Sequence, residues 1–349
     1  MIFILEPNGQ TNTSKYVKNT LPPNCKVFTS RGSSYSKDVG IPVFRNYRNS
    51  VGLKKLYYYL VGWLRIALLL QKDDVFHFHW LKFSPLDYVF ISVLKLRKVL
   101  LVGTVHNILP HEKKIYDRFF FERIYRSTDE LIFHTEGILK NFSNGFFLPK
   151  SYHIINHYYD PVKIESDKEV AHKLLFFGNI RRYKGLELLL ESIKSLKTDL
   201  QWELCIAGNP EYDISDLIEE TKSLRNIQWK TSYIDNRELE ELFNQSGIVV
   251  MPYLKIDTSG LLYLAKSYGK VIIAPKMGVF EESIIHRKNG LLFSPGDAES
   301  LADVIALALD TKVFQQIKGT VISELPENPI DEFRNAHQKL YSNFHDHIH

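Results

Sequence analysis

LLFFGNIRRYKGLELLLE, residues 174–191, decides how this chain is read. The apolar run Leu174–Phe177 fits a buried strand, and Gly178 ends it. Arg181, Arg182 and Lys184 then crowd a short loop, with Gly185 just before a helical pattern. That pattern, Leu186–Leu196, sets Leu186, Leu189, Leu190 and Ile193 on one face. A helix N-terminus already attracts anions through its unsatisfied N–H groups and its dipole, so three cations there oppose it unless an anion joins them. A phosphate or diphosphate would resolve the conflict. A solvated basic turn is the competing reading.

Working outward, strand, loop and helix alternate on both sides of this stretch. Upstream, strands are expected at Ile2–Leu5, Lys26–Thr29, Val75–Trp80, Val99–Thr104 and Glu130–His134, and helices at Leu53–Gln71, Pro85–Leu96 and Phe119–Arg126. Residues 160–172 are charged and without apolar rhythm, which suits a linker. Strands then recur at Leu174–Phe177, Trp202–Ala207, Ile227–Lys230, Ile248–Met251, Val271–Ala274 and Leu291–Phe293, and a last helix follows Pro326 and Pro329. Buried strands alternating with helices imply parallel, doubly wound sheets. The expectation is an α/β protein of two Rossmann-like domains, 1–160 and 161–330, with the terminal helix 331–349 packing back on the first. The cleft between the domains is the expected ligand site.

Composition sets outer bounds. A chain of 349 residues suits two domains, and 44% hydrophobic with 24% charged residues is ordinary for a globular protein. A net charge of +4 is too small to argue for nucleic acid. Cys25 and Cys205 lie in different halves without metal-ligand spacing and read as reduced, buried thiols of a cytoplasmic protein. MIFIL opens the chain without a basic leader, and LYYYLVGWLRIALLL, residues 56–70, is short for a membrane span and interrupted by Arg65. GxGxxG and GxxxxGK[ST] do not occur, nor does an Asp-x-Asp pair that would hold a divalent metal on a nucleotide sugar. Neither a cofactor nor a metal is called for.

Two further loops in the second half can hold anions. Thr258, Ser259 and Gly260 precede the helical pattern Leu261–Tyr268, where hydroxyls and N–H groups suit a phosphate; a plain N-cap is the simpler reading. Glu281 and Glu282 follow Gly278 and could accept ribose or sugar hydroxyls, or merely complement a helix dipole.

Taken together, FFGNIRRYKGLELLLESI, IAGNP, MPYLKIDTSGLLYLAKSYGKVIIAP and GVFEESIIHRKNGLLFSPGDAESLADVI resemble the nucleotide-sugar domain of GT-B glycosyltransferases of the family-4-like clan, over roughly residues 174–309. DVFHFHW, TVHNILPHE and LIFHTEGILKNF resemble the partner domain more loosely. The resemblance implies metal-independent transfer of a sugar from a nucleoside diphosphate. Arg181 and Lys184 match the positions that hold the donor diphosphate, with Arg182 as the substitute for Arg181 and with Thr258, Ser259 and Gly260 beside them. Glu282, seven residues before Asn289, matches the glutamate that binds ribose, and Glu281 is the neighbouring alternative.

The chain departs from the Glu-x7-Glu pattern of many retaining members, because Ile256 and Leu264 stand at those two positions. The local text PYxxIxTSG is similar instead to a subgroup that includes GDP-mannose:glycolipid 4-beta-mannosyltransferases, which makes GDP-mannose the first donor to consider and inversion the implied outcome. Inversion needs a general base, and His106 and Glu112 of TVHNILPHE are the candidates. A strand-end histidine that only bonds the backbone is the plain alternative for His106. His77 and His79 share one strand face and read mainly as packing. Asn8 and Gly9, after the first strand, could contact acceptor or phosphate.

Lys54, Lys55, Arg65, Arg97 and Lys98 flank apolar helices that carry Tyr57, Tyr58, Tyr59 and Trp63. Such a surface suits peripheral contact with anionic lipid at the inner face of a plasma membrane, and a polyprenyl-linked or other glycan acceptor in surface polysaccharide synthesis. A core helix with snorkelling ends is the alternative. Other functions open at this point are a two-domain phospho-sugar enzyme (epimerase or phosphorylase) and a non-catalytic nucleotide-sugar-binding protein.

Overall fold

The structure is a computed structural model that describes residues 1–7, 17–18, 21–22, 25–45, 47, 50–110, 114–148, 151–157, 162, 164–256 and 259–346. The chain divides into two compact units, residues 1–157 with 330–349, and residues 158–329.

The first unit is built on seven strands: β1 Ile2–Glu6, β2 Lys26–Ser30, β3 Gly40–Phe44, β4 Val75–Phe78, β5 Leu100–Val105, β6 Glu130–Phe133 and β7 Ser151–Ile154. They form one parallel sheet in the order β3-β2-β1-β4-β5-β6-β7. The second unit has six: β8 Val170–Phe177, β9 Glu203–Ala207, β10 Ile227–Lys230, β11 Ser246–Val250, β12 Val271–Pro275 and β13 Leu291–Phe293, parallel in the order β10-β9-β8-β11-β12-β13. Both orders reverse beside the first strand of the unit, the doubly wound pattern that gathers ligands at the C-terminal strand edges.

Two strands escaped the sequence reading, β3 and β7. Both are sheet edges with half-exposed, irregular burial, so neither shows a continuous apolar run. The expected linker 160–172 is shorter than its composition suggests. Val170 already pairs with Ser246 of β11, and residues 166–168 form a 3₁₀ turn.

The aromatic excess is spent in the core of the first unit. Phe28, Phe44, Tyr59, Trp63 and Phe76 are fully buried, and Trp63 stacks on Phe90 at 5.4 Å between ring centres. Gly62 makes this possible, since a Cβ there would lie 2.1 Å from the Phe44 ring. Asp87, fully buried, accepts from Tyr59 Oη (2.7 Å), Trp63 Nε1 (3.0 Å) and the backbone N–H groups of Lys82 and Phe83 (3.0 and 2.9 Å). Burial outweighs these donors and pushes its carboxyl up to about 7. Tyr59 and Trp63, grouped above with a lipid-facing surface, therefore belong to the core. The helix Pro329–Asp346 packs on this unit through Phe333, His337, Leu340 and Tyr341, all buried.

In the second unit an aliphatic core lies on one face of the sheet, with Leu186, Leu189 and Ile193 among its members. Glu169 takes ion pairs from two lysines, Lys270 and Lys318, that lie far away in sequence, fastening the entry to β8 against the end of the unit.

Candidate functional site

In the second unit the basic loop follows β8 directly. Arg182–Lys184 form one 3₁₀ turn, and Gly185 takes a left-handed conformation (φ 71°) before the helix Leu186–Ser195. No other residue would fit, because a Cβ on Gly185 would sit 1.9 Å from the Pro252 carbonyl oxygen. That close approach joins the basic loop to the loop after β11, and Leu254 N–H donates to Tyr183 O at 2.7 Å across the same seam. Lys184 Nζ lies 5.7 Å above the Tyr253 ring, and the Tyr253 hydroxyl hydrogen-bonds Ser259. The loop after β12 joins in turn: Gly278 lies against Ile256, and the rings of Tyr253 and Phe280 are 5.5 Å apart. Three loops from adjacent strands thus form one cluster.

The three cations have different surroundings. Arg181 is held in a two-pronged pair with Glu211, with Nε and Nη2 each 2.8 Å from a carboxylate oxygen, and Asn179 donates to the same group. Arg182 is exposed, 4.5 Å over the Tyr212 ring and 3.6 Å from Glu187. Lys184 makes no ion pair with any described carboxylate. Its ammonium presses over Gly178, where a Cβ would come within 2.7 Å of Nζ. Burial, reinforced by Arg181, lowers its pKa to about 8, with Glu211 pulling the other way. Such a lysine gains from any anion that reaches it.

Ser259 caps the helix Gly260–Ser267 by accepting from Leu262 N–H at 3.2 Å, and open space lies where a Cβ on Gly260 would stand. Thr258 lies outside the described residues. Glu281 and Glu282 are exposed on the helix Gly278–Ser283, Glu281 at 3.9 Å from Lys276. Asn289 is structural, since it accepts from Ile285 N–H and donates to Glu324, both at 2.8 Å.

In the first unit Asn8, Gly9 and Glu112 lie outside the described residues. His106 follows β5 and is the middle member of a row of rings. His79 Nδ1 is 3.3 Å from His106 Nε2, His106 Nδ1 is 3.1 Å from His134 Nε2, and His134 Nδ1–H donates to the Ile155 carbonyl at 2.9 Å. Trp80 stacks on His106 at 4.4 Å. Burial and neighbouring imidazoles hold all three histidines below the ordinary range, His134 at about 3. His77 belongs to the layer beneath, with Tyr341 Oη 2.5 Å from Nδ1 and Thr104 Oγ1 2.8 Å from Nε2. The sequence reading placed His79 with the packing residues and passed over His134. Their spacing was the available signal: His79, His106 and His134 each stand at the C-terminal end of one of three adjacent strands.

Comparison with known proteins bears on both units. Residues 162–320 match the family described as Glycosyl transferases group 1. The chain is 31% identical over 225 residues to a GDP-mannose:glycolipid 4-beta-D-mannosyltransferase of Xanthomonas campestris pv. campestris, an alignment covering 59% of this chain and 62% of that protein. Among solved structures, HepE of Anabaena in complex with UDP superposes with a TM-score of 0.76 at 13% identity, covering 98% of this chain and 99% of that one. Sucrose-phosphate synthase of Thermosynechococcus elongatus superposes with a TM-score of 0.74 at 14% identity, covering 99% and 98%. Residues 162–320 thus match the family described as Glycosyl transferases group 1, and the chain shares with HepE and sucrose-phosphate synthase the GT-B fold of two doubly wound parallel sheets.

Proposed function

We propose that the protein is a glycosyltransferase that moves a sugar from a nucleoside diphosphate, GDP-mannose being the first candidate, to a lipid-linked or glycan acceptor in surface polysaccharide synthesis. The observation that carries this reading is Lys184: a half-buried ammonium without a described carboxylate partner, in the loop between β8 and the helix that follows. Negative charge grows on the diphosphate as the glycosidic bond breaks, and a cation already in place stabilises it without reorganisation. Arg181 stands next to it, and Ser259 with the open N-terminal turn at Gly260 offers further donors. With cations in that role, transfer proceeds without a metal ion. Thr258, the sequence neighbour of Ser259, Arg182 as a second arginine, and Glu282 or Glu281 toward the ribose complete the proposed donor site. His106 and Glu112 are the proposed catalytic groups of the acceptor domain, and Asn8 and Gly9 its proposed acceptor or phosphate loop. Calorimetry with GDP-, UDP- and CMP-sugars in the presence of a chelator tests the reading. Binding of one class below about a millimolar, with sugar transfer to a glycolipid, is expected; binding of none contradicts it.

The acceptor side is consistent with a membrane surface. The helices Gly52–Leu69 and Ser84–Leu96 leave Leu53, Leu68 and Leu96 exposed at 85%, 82% and 84%, beside Tyr57, Leu64 and Val89. The only acidic residue in either helix is Asp87, which is fully buried, so what these helices show to solvent is apolar or cationic. Among the described residues no helix is long and apolar enough to cross a membrane. Flotation with vesicles containing anionic phospholipid should carry the protein upward, and Leu53→Glu with Leu68→Glu should leave it at the bottom. Flotation unchanged by these substitutions would remove the lipid contact.

A further inference from the structure

The basic loop after β8 carries an anion of its own. Glu211, in the loop after β9, meets Arg181 with both carboxylate oxygens, each 2.8 Å from a guanidinium nitrogen. Asn179 donates to the same carboxylate at 2.8 Å, and its charge also acts on the Lys184 ammonium. Carboxylates and phosphates both accept the two-pronged guanidinium bond, so Glu211 makes with Arg181 the kind of contact a diphosphate would make. The backbone around the pair is fixed. Gly178 N–H donates to Ala207 O at 3.0 Å, Ile180 N–H to Asn209 O at 2.8 Å, and Glu211 N–H to Ile180 O at 3.0 Å. These bonds zip the two loops together as far as Glu211 itself. A Cβ on Gly208 would lie 2.1 Å from the Gly178 carbonyl oxygen, so the backbones already approach closely. The side chains are freer: those of Arg181 and Glu211 are 39% and 34% exposed. Parting them needs changes of rotamer and no movement of either loop.

We propose that Glu211 is a resident counter-anion, which the donor diphosphate displaces from Arg181 and which takes Arg181 back when the nucleoside diphosphate leaves. The inference rests on the donor-site reading above for the identity of the displacing anion. No covalent bond changes in the exchange. Arg181 Nε–H and Nη2–H pass from carboxylate to phosphate oxygens, while Glu211 keeps the Asn179 donor and turns its released oxygen to water. A diphosphate wins the competition because it carries more than one negative charge and meets Lys184 as well as Arg181. Donor and product then bind fully only to molecules in which Arg181 is unpaired, so Glu211 weakens both by one common factor. That weakening favours turnover, since product release limits the rate of many enzymes. Glu211 acts through Arg181 and is a positioning residue, remote from the reacting carbon.

Calorimetric titration of inorganic pyrophosphate into wild type, Glu211→Gln, Arg181→Gln and the double variant tests the exchange. Glutamine keeps the shape of the side chain and still accepts from Asn179. Glu211→Gln should tighten pyrophosphate binding about 5- to 10-fold. In the Arg181→Gln background the same change should shift it by less than about twofold. Equal tightening in both backgrounds would leave only a diffuse charge effect, and unchanged or weaker binding in Glu211→Gln would make Glu211 a fixed support of Arg181. Either result, or pyrophosphate binding to none of the four proteins, overturns the proposal. In sugar transfer, Glu211→Gln should lower the donor KM and the inhibition constant of the nucleoside diphosphate together while kcat does not rise; an increase in either constant contradicts the exchange. If the wild type transfers no sugar but the pyrophosphate pattern holds, the glycosyl-transfer reading falls and the exchange stands. If it transfers sugar and pyrophosphate ignores Glu211, the reading stands and the exchange falls.

Discussion

At the C-terminal edge of β8 a lysine keeps its charge without a described carboxylate partner, whereas at the C-terminal edges of β4, β5 and β6 three imidazoles are held neutral. Both edges belong to parallel, doubly wound sheets, and the strand order of the two is alike. The difference comes from what the loops bring. In the second unit, glycines at 178, 185 and 278 allow backbone to meet side chain or backbone, so the loops pack closely around one cation. In the first unit bulky rings fill the corresponding edge, and among the described residues hydrogen bonds run from ring to ring and end on the Ile155 carbonyl. One edge offers a cation paired with no described carboxylate, and the other keeps its polarity in neutral rings.

The comparison can be broken at several points. The largest effect is expected from Gly185→Ala. The new Cβ would meet the Pro252 oxygen in a left-handed turn, so a loss on the order of 4 kcal/mol is expected, confined to the second unit. Denaturant unfolding followed by peptide-resolved hydrogen exchange measures both size and location.

Acid should then divide the units. His77, His79, His106, His134 and His337 titrate well below 6.5 when folded and near 6.5 when unfolded, so the unfolded chain binds more protons as pH falls below 6.5. Their contribution is complete above 6.5 and is lost on the way down toward the folded values of about 3 for His134 and 4 for His337. Asp87, held at about 7, acts in the opposite sense, as one group against five. The first unit should lose on the order of 6 kcal/mol between pH 6.5 and 5 while the second changes little. Hydrogen exchange at the two pH values reads this, and equal loss in both units would contradict it.

Two smaller effects sharpen the picture. Tyr341→Phe removes the hydroxyl that meets His77 and should cost about 1 to 2 kcal/mol in thermal unfolding. Glu211→Gln breaks a pair that is more than a third exposed on each side, so stability should move by less than about 1 kcal/mol. The same change frees Arg181 and should tighten diphosphate binding, which titration calorimetry would show.

The sequence made the second unit more legible than the first, for physical reasons. A cationic loop between an apolar strand and an amphipathic helix is a local pattern, and Arg181, Arg182, Lys184 and Gly185 lie within five residues of one another. Central strands such as β5 and β12 announce themselves as apolar runs, while β3 and β7 are edges with little to bury. The histidine row is non-local. His79, His106 and His134 are separated by 27 and 28 residues, and only strand pairing brings them to one level. His106 was visible as a strand-end residue; its partners were not, because nothing in the local text distinguishes a packed ring from a bonded one. The pairing of Arg181 with Glu211 was equally hidden, since it joins residues 30 apart.

The central claim is that Lys184 receives a nucleoside diphosphate. Calorimetric titration of GDP and of guanosine into wild-type protein and Lys184→Gln at pH 7 tests it most directly. A charge-assisted contact is worth about 1.5 to 3 kcal/mol, so GDP affinity should fall about 10- to 100-fold in the variant while guanosine affinity changes less than about twofold. In the wild type, GDP affinity should also decline above pH 8 as the lysine loses its proton, a dependence the variant should lack. Equal losses for GDP and guanosine, or GDP binding untouched by the substitution, would contradict the account.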